Sequence, residues 1–188
     1  MLEIEEGQLI FQFADTWECI KYDADGGYYR QNLLIHVDDS KAIDFLLVNS
    51  KNLLMIEVKD YRQTSDSPDY DKLPSIIATK VRDSIAGIIG GSLQASDSKE
   101  KQTYLTAYRR LSRPPTVIFL FIERNKRFHG SEKQSRKAIP KRGALSKKLR
   151  TQLRWLTKKV LVVGLDNYKI CIPDTIIRDN ESSAQQKL

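Results

Sequence analysis

Ala42-Ile43-Asp44-Phe45-Leu46-Leu47-Val48, the polar cluster Asn49-Ser50-Lys51-Asn52, and Leu53-Leu54-Met55-Ile56-Glu57-Val58-Lys59 form the stretch on which the fold turns. Both flanks are apolar, rich in β-branched and aromatic residues, and as long as ordinary strands, so the spacing predicts an antiparallel hairpin. With the turn centred between Ser50 and Lys51, facing residues have numbers that sum to 101, which sets Asp44 opposite Glu57. Their Cβ atoms would be roughly 5 Å apart. The two-residue side-chain period adds Lys59 to that face and turns Ile56, Val58, Phe45 and Ile43 to the other.

Such a convergence is costly. At an effective dielectric of 20, two carboxylates about 5 Å apart repel by roughly 3 kcal/mol, and the rest of their face is Leu46, Val48, Leu53 and Met55. Lys59 compensates in part, but one ammonium cannot neutralise two carboxylates and satisfy their lone pairs. A divalent ion can, and hard oxygen donors suit Mg²⁺ or Mn²⁺. The competing reading is an ion-pair cluster at a sheet edge. Apolar residues on both faces speak instead for central strands covered from two sides.

Asp44, a gap of twelve residues, and Glu57-Val58-Lys59 in a hydrophobic hairpin resemble the PD-(D/E)XK nuclease superfamily over about twenty residues. The resemblance implies a restriction-endonuclease-like α/β fold, a mixed central sheet flanked by helices, and metal-dependent hydrolysis of phosphodiester bonds. It implies Asp44 and Glu57 as metal ligands, the Val58 carbonyl as a further ligand, and Lys59 as the group that orients or deprotonates water. The ion would be Mg²⁺, with Mn²⁺ as a substitute. Ile43 stands where the superfamily's nominal proline would be, and Glu18 and Asp23 are the candidates for an acid upstream of Asp44. A metal supplies bound water of lowered pKa, and a lysine beside it is expected to have a depressed pKa and to exchange protons near neutrality.

The chain has 188 residues, 40% hydrophobic and 29% charged, which suits one domain with a sizeable core. Residues 1–178 are expected to form it and 179–188 a disordered polar tail. Two cysteines, Cys19 and Cys171, offer neither a disulfide framework nor a four-cysteine zinc site. With no signal peptide or membrane-length apolar run, a cytoplasmic protein is expected. Further strands are expected at Leu9 to Phe13, Trp17 to Tyr22, Thr116 to Ile122 and Val160 to Val163, with Tyr28 to Val37 ambiguous. Helices are expected at Leu73 to Ile89, ended by Gly90-Gly91, at Lys101 to Leu111, and at Ala144 to Lys159. The order gives α/β with a mixed sheet.

Charge is divided along the chain. Residues 1–100 carry 10 Lys and Arg against 18 Asp and Glu, and residues 101–188 carry 21 against 6. From Arg124 to Lys159 there are 14 basic residues and one acid, Glu132. Such a run binds polyanions, and nucleic acid, DNA ahead of RNA, is the expected partner. Arg124 to Gly143, with Lys126, Arg127, Arg136 and Lys137, reads as a mobile basic loop that orders on a phosphate backbone. In the following helix Leu145, Leu149, Leu153, Leu156 and Val160 form one stripe, with Lys147, Arg150, Arg154 and Lys158 opposite. The apolar stripe is needed on the sheet, so no membrane role is assigned. A homodimer or partner subunit is compatible with cutting both strands of a duplex, and a non-catalytic nucleic-acid-binding module with the same fold is the alternative. Lys80 and Arg82 are candidates to reach a phosphate or to pair with Asp83. Gln63 could approach the site, His36 and His129 read as surface or packing residues, and Trp17, Trp155, Tyr28 and Tyr29 read as core or rim, with stacking on bases the alternative.

Overall fold

The hairpin lies in the middle of a five-stranded sheet. In chain order the strands are β1 (Leu2–Glu6), β2 (Leu9–Phe13), β3 (Glu18–Lys21), β4 (Phe45–Val48), β5 (Leu53–Asp60), β6 (Thr116–Ile122), β7 (Val160–Val163) and β8 (Thr175–Asp179). The helices are α1 (Leu34–His36), which continues a π-helical turn at Tyr29–Leu33, α2 (Leu73–Gln94), α3 (Ser98–Arg110) and α4 (Ser135–Gln152). The structure, a computed structural model, describes residues 1–22, 24–62, 68–123 and 135–180, and of 135–140 the backbone alone.

The central sheet has the order β3-β4-β5-β6-β7. The first three strands are antiparallel and β5, β6 and β7 are parallel, so the sheet is mixed. Two apolar layers cover it, because β5 and β6 are hydrophobic on both faces. Leu53, Met55, Val117, Phe119 and Phe121 pack with Ile77, Val81 and Ile88 of α2, Tyr104 of α3, and Leu145 and Leu149 of α4. Leu54, Ile56, Val58, Ile118, Leu120 and Ile122 pack with Leu9, Phe11 and Phe13 of β2. That second cover is an antiparallel sheet of order β1-β2-β8. Arg62 fastens it at one end, reaching Asp60 and Asp179, both at 2.7 Å. The protein is α/β, with helices on one face of a mixed sheet and a small sheet on the other.

Several elements depart from expectation. β1 alternates half-buried Ile4 and Glu6 with exposed acids, a weak strand signal, and forms because it pairs along the edge of β2. β8 ends at Asp179, and Asn180 N–H bonds the Gln8 carbonyl at 2.8 Å, so 179 and 180 belong to the fold rather than to a tail. Gly90-Gly91 do not end α2, which runs on to Gln94. A Cβ at either glycine would overlap Tyr28 or Tyr104, so these glycines mark close packing on the tyrosines. The helix expected from Ala144 begins at Ser135, placing 135–143 in a helix rather than a loop. It stops at Gln152, because the chain must turn to enter β7: Thr157 Oγ1 donates to the Pro115 carbonyl at 2.7 Å. Arg154 and Lys158 therefore sit in that turn and not on the helix.

Candidate active site

The ladder between β4 and β5 pairs Phe45 with Ile56, Leu46 with Met55, Leu47 with Leu54 and Val48 with Leu53, the register expected from the turn. At Asp44 the ladder gives way. Its N–H donates to the Ile56 carbonyl at 3.1 Å, and its Oδ2 accepts the Val58 N–H at 2.6 Å, so the carboxylate stands where the next strand carbonyl would be. The side-chain alternation breaks with it: Ile43 packs on the helical face and not with Phe45, and Ser84 Oγ accepts its N–H at 3.0 Å.

Glu57 follows on β5 with a side chain that is 0% exposed. Its Oε1 is 2.9 Å from Lys59 Nζ and 2.7 Å from Lys80 Nζ, and its Oε2 accepts from Lys80 at 2.8 Å. Both ammonium groups thus lie against the same buried oxygen. Lys80 Nζ is also 3.4 Å from Asp44 Oδ1. It bridges the two carboxylates from α2, with its side chain 16% exposed. Two acids and two ammonium groups thus balance at the end of β5.

Burial, and then repulsion from Asp44, push the Glu57 carboxyl up to about 7, against the pull of Lys80 and Lys59. Burial opposes the charge of Lys59, but attraction to Glu57, then Asp44 and Glu6, holds its ammonium above the ordinary lysine range. The carboxylates that surround this lysine set that direction. Glu6, at the end of β1, is also 3.2 Å from Lys21.

Of the upstream acids, Glu18 is exposed and pairs with Val48, at the far end of β4 from Asp44, so it takes no part; Asp23 lies outside the described residues. Glu6 is the acid that the fold brings near, and nothing in its sequence context marks it. Lys80 does have a signal. The buried positions Ile77, Val81 and Ser84 run along one side of α2, and Lys80 lies three after the first and four before the last, on the flank of that stripe. Arg82 pairs with Asp83 at 2.8 Å instead.

Around the rim, Tyr70 packs edge-on against Phe121 at 5.9 Å and donates to Glu123 at 3.0 Å, with Lys141 Nζ 5.0 Å above its ring. Among the expected phosphate contacts, Lys147, Arg150, Arg154 and Lys158 are exposed, and Arg150 Nε donates to the Val160 carbonyl at 3.2 Å. Lys126, Arg127, Gln63 and His129 lie outside the described residues, as do the side chains of Arg136 and Lys137. Trp155 is exposed rather than part of the core.

Among the described residues there is no group of three or more His, Cys, Asp or Glu that could hold a metal ion, and no helix long and apolar enough to cross a membrane. Asp44 and Glu57 form a pair, not a triad.

The arrangement defines an acid–lysine centre in an α/β sheet. No family model matches the chain, and no solved structure matches it. It is 27% identical over 129 residues to a cysteine–tRNA ligase of Neisseria meningitidis serogroup A / serotype 4A, a match that covers 54% of this chain and 18% of the ligase.

Proposed function

We propose that the chain is a divalent-metal-dependent nuclease with a restriction-endonuclease-like core, hydrolysing phosphodiester bonds in DNA. The observation that carries this reading is the pair of half-buried Asp44 and buried Glu57, bridged by Lys80 and adjoined by Lys59. Asp44 Oδ1, Glu57 Oε1 and the Val58 carbonyl are hard oxygen donors of the kind that hold Mg²⁺, or Mn²⁺ in its place, with one or two carboxylates and water. Glu57 Oε1, which meets Lys80 and Lys59 in this structure, would be the buried oxygen that such an ion takes over. An ion bound there would supply a water of lowered pKa and positive charge beside a scissile phosphate.

The protein's own groups do the rest. Asp44 is oriented by the Val58 N–H, and Glu57 is fixed within β5. Lys59, half-buried at the strand end, holds and orients the attacking water. Lys80 lies against both carboxylates and would be free to meet a phosphate oxygen if a cation took over that charge. Incubation with plasmid or branched DNA and Mg²⁺ should give cleavage that Glu57→Ala and Lys59→Ala abolish while binding survives. Tight binding by the wild type without cutting in Mg²⁺ or Mn²⁺ would end the reading. The partial likeness to a protein named for tRNA is a reason to include tRNA among the substrates.

One observation favours a second reading, a non-catalytic nucleic-acid-binding module. Lys59 and Lys80 already balance the two carboxylates, so the cluster is complete as a structural ion-pair network. Calorimetry separates the two: a Mn²⁺ site lost in Asp44→Ala and Glu57→Ala supports the nuclease, and no such site supports the module.

A further inference from the structure

β5, β6 and β7 run parallel, so their starting ends gather at one side of the sheet, while Glu57 and Lys59 lie toward the other. From Leu53 to Glu57 is roughly 13 Å of strand. At the starting side two connections meet, the one from α3 into β6 and the one from α4 into β7. They are tied together: Thr157 bonds the Pro115 carbonyl at 2.7 Å, and Val117 N–H bonds the Lys159 carbonyl at 2.9 Å. Arg109, Arg110 and Arg113 of the first are thereby gathered with Arg154, Lys158 and Lys159 of the second.

Among the described residues this end shows no ion pair to its cations. The sequence has no Asp or Glu from 101 to 122 or from 133 to 165. Lys141, Arg142 and Lys148, on the other turns of the same region, are each paired, with Glu123, Asp166 and Asp71. Among the described residues none of the six gathered cations has such a partner. Two large aromatic side chains stand among them in solvent: Trp155, 60% exposed, directly follows Arg154, and Tyr108, 51% exposed, directly precedes Arg109. Leu149 and Leu153 just before Trp155 are fully buried, so the tryptophan is turned away from a core that its neighbours reach.

We infer that this end of the sheet binds single-stranded nucleic acid, with Trp155 stacking on an unpaired base and the surrounding cations on backbone phosphates. Cations alone would suit any polyanion. An exposed indole among them selects one that offers flat faces, which a strand with unstacked bases does and a duplex or an acidic protein surface does not. The surface is separate from the carboxylates, and its assignment does not require that they cut.

The test uses the two tryptophans, Trp17 being partly buried against the second core and Trp155 exposed. The full chain in a chelator is titrated with a thymidine oligonucleotide, with a duplex of equal length, and with phosphatidylserine vesicles, following tryptophan fluorescence. The oligonucleotide should quench the wild type and Trp17→Phe but not Trp155→Phe, and Trp155→Ala should weaken binding about tenfold. Replacing Arg109, Arg110 and Arg113 by Ser should weaken it further and lower the slope of log affinity against log salt by roughly 2. Because Trp155, Arg109 and Arg113 are exposed and Arg110 is half-buried at a helix end, unchanged circular dichroism is expected for the Trp155 and arginine variants. Equal quenching in Trp155→Phe, undiminished affinity in both sets of variants, or a preference for duplex overturns the inference. Binding to vesicles but not to the oligonucleotide also overturns it, assigning the surface to a membrane.

Discussion

Lys80→Met removes the ammonium that touches both carboxylates and keeps the volume and helix propensity of the site. The Glu57 carboxyl stands at about 7 in the folded protein, raised by burial and then by Asp44, and held down by Lys80 before Lys59. Its ordinary value is 4.5. A carboxyl whose folded value is raised binds more protons in the native state, so its contribution is fully present below 4.5 and is lost as pH rises toward 7. In the wild type this loss amounts to roughly 3 kcal/mol, at 1.36 kcal/mol per pH unit. Without Lys80 the loss continues to higher pH, because Glu57 keeps its proton. The added cost relative to wild type is then smallest at pH 5 and grows above pH 7, by on the order of 1 kcal/mol per pH unit for as long as Glu57 stays protonated. Proton uptake keeps the neutral-pH cost below the roughly 3–5 kcal/mol typical of a broken buried pair. Urea unfolding in a chelator at pH 5, 8 and 9 measures it. A loss that is the same at all three pH values would mean that Lys80 acts through packing, and a loss of 4 kcal/mol already at pH 7 would mean that Glu57 cannot take up the proton; either refutes the reasoning.

Glu57→Gln should flatten the stability profile between pH 5 and 8 by roughly 3 kcal/mol relative to wild type, read from the same unfolding curves. Gly91→Ala should destabilise by about 1–3 kcal/mol, since the new methyl meets the Tyr104 ring, whereas Gly143→Ala in α4 meets nothing and should stabilise by up to about 1 kcal/mol; thermal melts compare them. Cys19, whose thiol burial pushes up to about 12, should resist iodoacetamide in the native protein and react on unfolding, which mass spectrometry of the labelled peptides reports.

The hairpin was legible because both of its strands are apolar on two faces and a polar cluster separates them, a pattern that fixes register as well as identity. Its register in turn located Asp44 and Glu57. What local pattern could not supply was the break in the ladder at Asp44, since a carboxylate that takes the place of a strand carbonyl leaves no mark on neighbouring residues. Sequence alone offers Lys80 as a phosphate contact, but its bridging position depends on how α2 lies across the sheet. β1 and β8 escaped because edge strands need little hydrophobic pattern of their own: β1 owes its place to β2, and β8 carries only Ile176 and Ile177 between polar residues. Glycine read as punctuation failed at Gly90-Gly91, where the need was room for tyrosine rings rather than freedom of the backbone.

The pairing of β2 with β8 joins Leu9 to Asp179 and Phe13 to Thr175. Few contacts in a chain of this length span so much sequence, and closing so long a loop is slow compared with forming the β4–β5 hairpin. The helical face of the central sheet needs no contact between the two ends of the described chain, whereas the small sheet on the other face is complete only when they meet. During synthesis Leu9, Phe11 and Phe13 of β2 can already cover Phe45 and Ile56, but the outer edge of β2 stays unpaired until β8 has left the ribosome, making that edge the one a chaperone would meet.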